Sequence, residues 1–397
     1  MTVARADARQ DGAERRPSSP QASATAMDAN GRPARPKPAG RTGRVTRRGD
    51  RSGRARLGIA VAAALLGVAI VLSVAVGPTG ISLDALPRVL ASLVADGEVA
   101  PSVARERLVL LDIRLPRTVL GLLVGSALAV TGAMMQGLFR NPLADPGLVG
   151  ASSGAGLAAV AVIALGGGLL APVVGFLGNE AVPIAAVVGA FGSTMLLYSL
   201  STRERQTSVA TLLLAGVAIG AFAGALSGLI VFKADDRALR DITFWTLGSL
   251  GGATWPKIAA ALPFFIVAAV AAPLVARPLN ALLLGEAEAV HLGVAIERAK
   301  KIAIVAAACA VGASVALSGV IGFVGIVVPH LVRLATGPDH RWVLPGAGLA
   351  GAALLLFADA AARILVSPAE LPIGIVTAAI GAPFFLWLLM NRRGGLL

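Results

Sequence analysis

Long apolar runs separated by short polar connectors make up most of this chain. An α-helix needs about 20 largely apolar residues to cross a bilayer's hydrocarbon layer. Such runs begin near Leu57, Thr118, Leu148, Ala181, Val209, Ile258, Ile302, Ile321, Leu344 and Ile373. The pattern predicts an all-α fold, a polytopic membrane bundle of about ten transmembrane helices, with no strands expected. An even number of crossings returns both termini to one side. Glycines recur within the runs, at Gly121, Gly125, Gly132 and Gly137, and every fourth residue at Gly216, Gly220, Gly224 and Gly228. Lipid supplies no hydrophobic push between helices, so small residues that let backbones approach predict tight helix–helix seams there.

Composition agrees with that picture. Of 397 residues, 56% are hydrophobic and 14% charged, against about 25% charged in a soluble domain. The charge is concentrated at one end. Residues 1–56 hold 14 Lys or Arg against 5 Asp or Glu, which is +9 of the formal +13. Rich in Pro, Gly, Ser and Arg and without an apolar period, this segment reads as a disordered tail, and the transmembrane domain as 57–393. It lacks the apolar core and cleavage site of a secretory signal. Basic residues beside a first span stay cytoplasmic, so the tail places both termini inside, and Arg392 and Arg393 after the last run agree. Elsewhere basic residues divide almost evenly between the two sides, so the tail decides orientation. Its positive charge suits anionic lipid headgroups; no nucleic-acid partner is expected.

The chemistry the chain omits narrows its function. There is no G-x-x-x-x-G-K-[ST] phosphate loop, so any ATP that drives it must bind another subunit. His291, His330 and His340 are scattered, without metal-ligand spacing, and the single Cys309 lies in an apolar run as a packing residue. No G-x-S-x-G sits at a strand-to-helix turn. Neither a catalytic site, nor a metal site, nor a resident cofactor is expected. Ionisable residues within the runs are few, whereas ion-coupled carriers keep carboxylates at mid-membrane. A secondary transporter is the less favoured class.

Four polar segments remain. Residues 276–303, ARPLNALLLGEAEAVHLGVAIERAKKIA, are too polar to cross; Pro278 starts one short helix, Gly285 breaks it, and Gly293 ends a second before Glu297, Arg298, Lys300 and Lys301. Two short helices joined at a glycine make a cytoplasmic docking knob, or alternatively an interfacial helix lying on lipid. RLPR at 114–117 presents two guanidiniums around a turn set by Pro116. Arg363 lies one helical turn after Asp359 and could simply pair with it. NPLADPG at 141–147 is a tight turn by its Asn-Pro and Asp-Pro steps, and Ser208 is placed to cap the run from Val209.

These motifs carry a family resemblance. RLPR, the run LFRNPLADPGLVGASSGAG at 138–156 and ELPIGIVTAAIGAPFFLWLL at 370–389, in this order, resemble the FecCD-type permeases, over roughly residues 57–393. Those are the membrane subunits of bacterial ABC importers for iron chelates, haem and cobalamin. The resemblance implies the type II ABC importer fold and a homodimer in the inner membrane, with the cargo path between two copies. It also implies two separate ATPase subunits and a periplasmic binding protein. The family's coupling pattern L-x-L-G-x-x-x-A-x-x-L-G falls on Leu282, Leu284, Gly285, Glu286, Ala289, Leu292 and Gly293. Binding-protein docking falls on Arg114, Arg117 and Arg363, and the inner gate on about Ser208 to Thr211. GPDHRW at 337–342 is more similar to haem importers than to most siderophore members. Haem is therefore the expected cargo, with ferric siderophores or cobalamin as the alternatives.

Overall fold

The computed structural model describes residues 52–77, 85–92, 100–204, 206–367 and 369–391. Most of the predicted tail, with Arg392 and Arg393, lies outside the described residues. In chain order the elements are α1 (Ser52–Ala75), α2 (Ala85–Ser92), α3 (Pro101–Leu108), a π-helical turn (Val109–Arg114) running straight into α4 (Leu115–Leu138), a 3₁₀ turn (Pro146–Val149), α5 (Ala151–Leu165), α6 (Ala171–Leu177) and α7 (Ala181–Ser201). A two-stranded hairpin follows, β1 (Thr202–Arg203) antiparallel to β2 (Gln206–Thr207). Then come α8 (Val209–Phe232), α9 (Asp236–Leu247), α10 (Trp255–Leu282), α11 (Glu286–His291), α12 (Ile296–Ser318), α13 (Val324–Thr336), α14 (His340–Leu365) and α15 (Ile373–Asn391).

Among the described residues, seven helices are long and apolar enough to cross a membrane: α1, α3 with α4, α6 with α7, α8, α10, α12 and α14. Ala151–Leu165, Val324–Thr336 and Ile373–Trp387 are shorter apolar helices. Together these are the ten predicted runs; the number ten is reached only by counting the short ones. Prolines inside α10, α13, α14 and α15 are tolerated because neighbouring helices and local adjustment take up the backbone groups a proline frees.

The centre of the bundle is α4, packed against α14, α12, α10 and α13, and its glycine stripe is the reason it can sit there. A Cβ on Gly125 would run into the backbone of Gly351, one on Gly351 into the carbonyl of Gly125, and one on Gly132 into the backbone of Gly325. Backbones in such contact gain dispersion over the whole crossing, the main attraction left to helices in lipid. Gly154 on α5 and Gly189 on α7 make the same reciprocal approach.

Three expectations need correction. The α8 stripe is a seam only at its start: Gly216 lies against the Leu148 carbonyl and Gly220 near Ser153, whereas Gly224 and Gly228 meet nothing. A regular spacing marks a face, not what covers it, and α8 buries little within this chain. Strands do occur, because the polar 202–207 link between two long helices must reverse in very few residues. Its Arg203 and Glu204 turn is tight enough to put Glu204 at φ 50°. Finally, Pro278 does not start a new helix but lies within α10, so the 276–303 segment contains one short separate helix, α11.

Candidate functional site

At one end of the bundle α10 overruns to Leu282, and the chain then turns at Gly285 (φ 121°) into α11 and at Gly293 (φ 76°) toward α12. Such positive φ values suit glycine, since a Cβ would strain the backbone. The seven residues of the coupling pattern separate by burial. Leu282 and Ala289 are buried and anchor the segment, while Leu284 and Leu292 are 66% and 64% exposed. Leu283 and Val290 are exposed beside them. Covering a Leu or Val side chain is worth about 1.5–3 kcal/mol, so a protruding group of four apolar residues on a polar segment suits a partner.

Glu286, the first residue of α11, is not part of that display. Its Oε1 accepts from Lys300 Nζ at 2.6 Å. Lys300, the fifth residue of α12 and 2% exposed, also donates to Glu297 Oε1 at 2.7 Å and to the Thr207 carbonyl at 2.8 Å. The Thr207 N–H donates to the other Glu297 oxygen at 3.0 Å. Thr207 leads directly into Ser208, whose hydroxyl accepts from the Thr211 N–H at 3.2 Å and from the Thr211 hydroxyl at 2.9 Å. Ser208 is thus the N-cap of α8, and both proposed gate residues are solvent-exposed at that helix start. A cavity of about 880 Å³ opens between the hairpin, α11 and the start of α12.

The last turn of α14, the π-helical turn and the start of α4 hold the three arginines, all buried: Arg114 is 5% exposed, Arg117 8% and Arg363 4%. Arg114 Nη1 donates to the carbonyls of Val74 and Ala75 at 2.6 and 3.0 Å. Arg363 donates to the Ser73 carbonyl at 3.1 Å and to that of Val76. The last carbonyls of a helix have no partner within it, and here two guanidiniums fill that role for α1. Asp359 lies between Arg117 (Nη2 to Oδ1, 2.9 Å) and Arg363 (Nη2 to Oδ2, 3.1 Å). Arg117 Nη1 also meets Glu370 at 2.9 Å. The pairing of Arg363 with Asp359 is present, and it is one member of a larger cluster that, among the described residues, holds three cations and two carboxylates. Glu370 is its accessible edge, with 37% of its side chain exposed.

Two connecting turns complete the picture. In NPLADPG, Asn141 Oδ1 accepts from the Leu143 N–H and Asp145 Oδ1 from the Gly147 N–H, and the Pro146 ring fills the space over Gly325. Burial pushes the Asp145 carboxyl above the usual range, against the Gly147 hydrogen bond. In GPDHRW, Asp339 caps α14 through the Arg341 N–H at 3.0 Å and accepts from Asn280 at 2.6 Å. Burial there would raise the carboxyl, but hydrogen bonds from Arg341 and Asn280 and the Arg341 charge hold it below the usual range. That motif is a helix start tied to α10. Among the described residues no group of three or more His, Cys, Asp or Glu could hold a metal. Cys309 is buried among apolar side chains.

Sequence reasoning named Glu286, Glu297 and Lys300 without joining them, and assigned Thr207 and Glu370 no role. The i,i+3 spacing of Glu297 and Lys300 was the available local signal; Glu286 is 14 residues from Lys300, too far for any local rule.

The sequence pattern of the FecCD transport family matches residues 65–391. The chain is 47% identical to the hemin transport system permease protein HmuU of Yersinia pestis over 283 residues, covering 71% of this chain and 83% of that protein. It is 43% identical to the vitamin B12 import system permease protein BtuC of Klebsiella pneumoniae over 322 residues, covering 79% and 93%. Its fold is similar to a solved metal-chelate type ABC transporter in an inward-facing conformation, with a TM-score of 0.71 at 31% identity, covering 84% of this chain and 98% of that one.

Proposed function

The chain belongs to the FecCD transport family and is an ABC importer permease, and from that premise we propose that it carries haem inward, driven by ATP bound on separate subunits. The observation that supports the drive is the glycine-bounded protrusion around α11. It displays Leu283, Leu284, Val290 and Leu292 to solvent while its buried side is tied to the start of α8. An ATPase clasping those residues gains apolar burial and moves a segment already bonded to the helix that opens the path. The chain has no phosphate loop of its own, which fits a division of labour in which hydrolysis happens next door.

In this reading the α11 end faces the cytoplasm, both termini lie on that side, and two copies pair in the inner membrane. On α8, Gly224 and Gly228 meet nothing within this chain, and small residues that let helix backbones approach support a second copy there. A periplasmic binding protein docks over the arginine cluster at the other end. Because those guanidiniums are buried and already paired, the incoming carboxylate competes with Glu370 for Arg117. Ser208 and Thr211 form the inner gate. As an N-cap pair, they let the first turn of α8 re-form after each opening without leaving a charge unpaired. Haem is favoured as cargo by the relationship to the hemin permease; cobalamin is the second reading, carried by the vitamin B12 relatives.

Reconstitution tests this. The permease with its ATPase and binding protein in liposomes should take up haem on ATP, and ferric siderophore or cobalamin far less. Uptake of cobalamin in preference to haem would transfer the assignment to the second reading. Uptake by the permease alone, driven by an ion gradient without ATP, would overturn the importer mechanism.

A further inference from the structure

We propose that Lys300 is the positioning residue that carries movement of α11 to the inner end of α8, an inference that rests on the importer reading above. An ammonium has three donors, and Lys300 Nζ satisfies three acceptors on three separate pieces of chain. These are Glu286 at the start of α11 (2.6 Å), Glu297 in the first turn of α12 (2.7 Å) and the Thr207 carbonyl on β2 (2.8 Å). Its side chain is 3% exposed and borders the open cavity. Losing one would leave a buried charge short of a hydrogen bond, which is far costlier than losing an exposed one. The three elements therefore move together or the node breaks.

The grip on Thr207 has two hands. Its carbonyl accepts from Lys300 and its N–H donates to Glu297 Oε2 at 3.0 Å, so the peptide groups on both sides of Thr207 are held, one residue before the α8 cap. Apolar packing does not make the connection: the space between the hairpin and α11 is the 880 Å³ cavity, with Gln206, Glu286 and Val290 on its walls. Displacing α11 thus acts on α8 through a polar strut across an open gap. Lysine suits the position because its compact ammonium can meet three converging acceptors, where a planar guanidinium projects its donors in a fixed fork.

The test uses the complete complex, with haem as the cargo, and measures haem taken up per ATP hydrolysed. Glu286→Ala cuts one arm of the node at a residue half exposed in the side chain, so the fold survives it. The expected result is unchanged ATP hydrolysis with haem per ATP down about tenfold, the scale of one charge-assisted hydrogen bond. Lys300→Met should lose at least as much, Lys300→Arg should recover part of it, and the double variant should be no worse than Lys300→Met alone. A purely structural role would instead lower assembly and hydrolysis together. If Lys300→Met does not accumulate, Glu286→Ala decides the matter. Wild-type haem per ATP in Glu286→Ala refutes the strut while leaving the importer intact; a wild-type complex that moves neither haem nor cobalamin on ATP refutes both.

Discussion

Replacing Asp359 by asparagine keeps the side chain's shape and removes its charge from the most enclosed ionic cluster in the bundle. Asp359 is 1% exposed. It accepts from Arg117 Nε at 3.0 Å and Nη2 at 2.9 Å, and faces Arg363 Nη2 at 3.1 Å. Deleting one member of a buried ion pair costs about 3–5 kcal/mol, because the remaining charge is stranded away from water. Two features moderate that here. Arg117 keeps Glu370 at 2.9 Å, and Arg363 keeps the carbonyls at the end of α1. An asparagine oxygen can also still accept one hydrogen bond. The expected loss is therefore about 3 kcal/mol, the low end of that range. Purified permease in mixed micelles can be unfolded by denaturing detergent and followed by far-ultraviolet circular dichroism. Adding Arg363→Met should recover more than half the loss, since no unpaired cation then remains beside α1. A loss below about 1 kcal/mol, the value of a solvated surface pair, would show that water reaches the cluster and would refute the reasoning.

Three further outcomes can be checked. Gly125→Val should destabilise the subunit by about 1–3 kcal/mol or more through overpacking against Gly351, whereas Gly67→Ala on α1, with open space around it, should stay within about 0.5 kcal/mol in the same unfolding assay. Glu370→Gln should tighten binding-protein affinity severalfold by freeing Arg117, most at low ionic strength; unchanged affinity by surface plasmon resonance would count against docking at this cluster. Asp339 sits below its ordinary 3.8, so its contribution is complete above that pH and is lost as pH falls through the depressed value. Asp339→Asn should accordingly flatten the acid limb of the stability–pH curve, and an unaltered limb would remove the capping contribution.

How far the chain could be read in advance varies with the range of the physics involved. The Gly285 break, the Ser208 cap and the tight turn of NPLADPG were all visible, because each is settled by a residue's own φ preference or by a side chain reaching its immediate neighbours. The coupling segment was legible as polar and glycine-broken, but the extent of α10 was not: Pro278 is compatible with either starting a helix or ending a kinked one, and packing of Leu279 and Leu282 into the core favours the second. The arginines were recognised by motif, yet their burial and their service to the carbonyls of α1 were out of reach, since Arg363 and Ser73 are 290 residues apart.

By itself the sequence determined that this is a membrane bundle, where its long apolar helices lie, and that it carries no phosphate loop for ATP. These follow from apolar run length and local backbone chemistry. Only the tertiary structure decided which faces meet: that Gly125 touches Gly351 while Gly224 touches nothing, that Asp359 is shared by two cations, and that Lys300 joins α11 to the start of α8. The reason is the solvent. In lipid an apolar helix face gains nothing from being buried rather than exposed, so hydrophobic pattern cannot point to its partner, and the choice falls to close packing and to a few polar groups that must find one another across the fold.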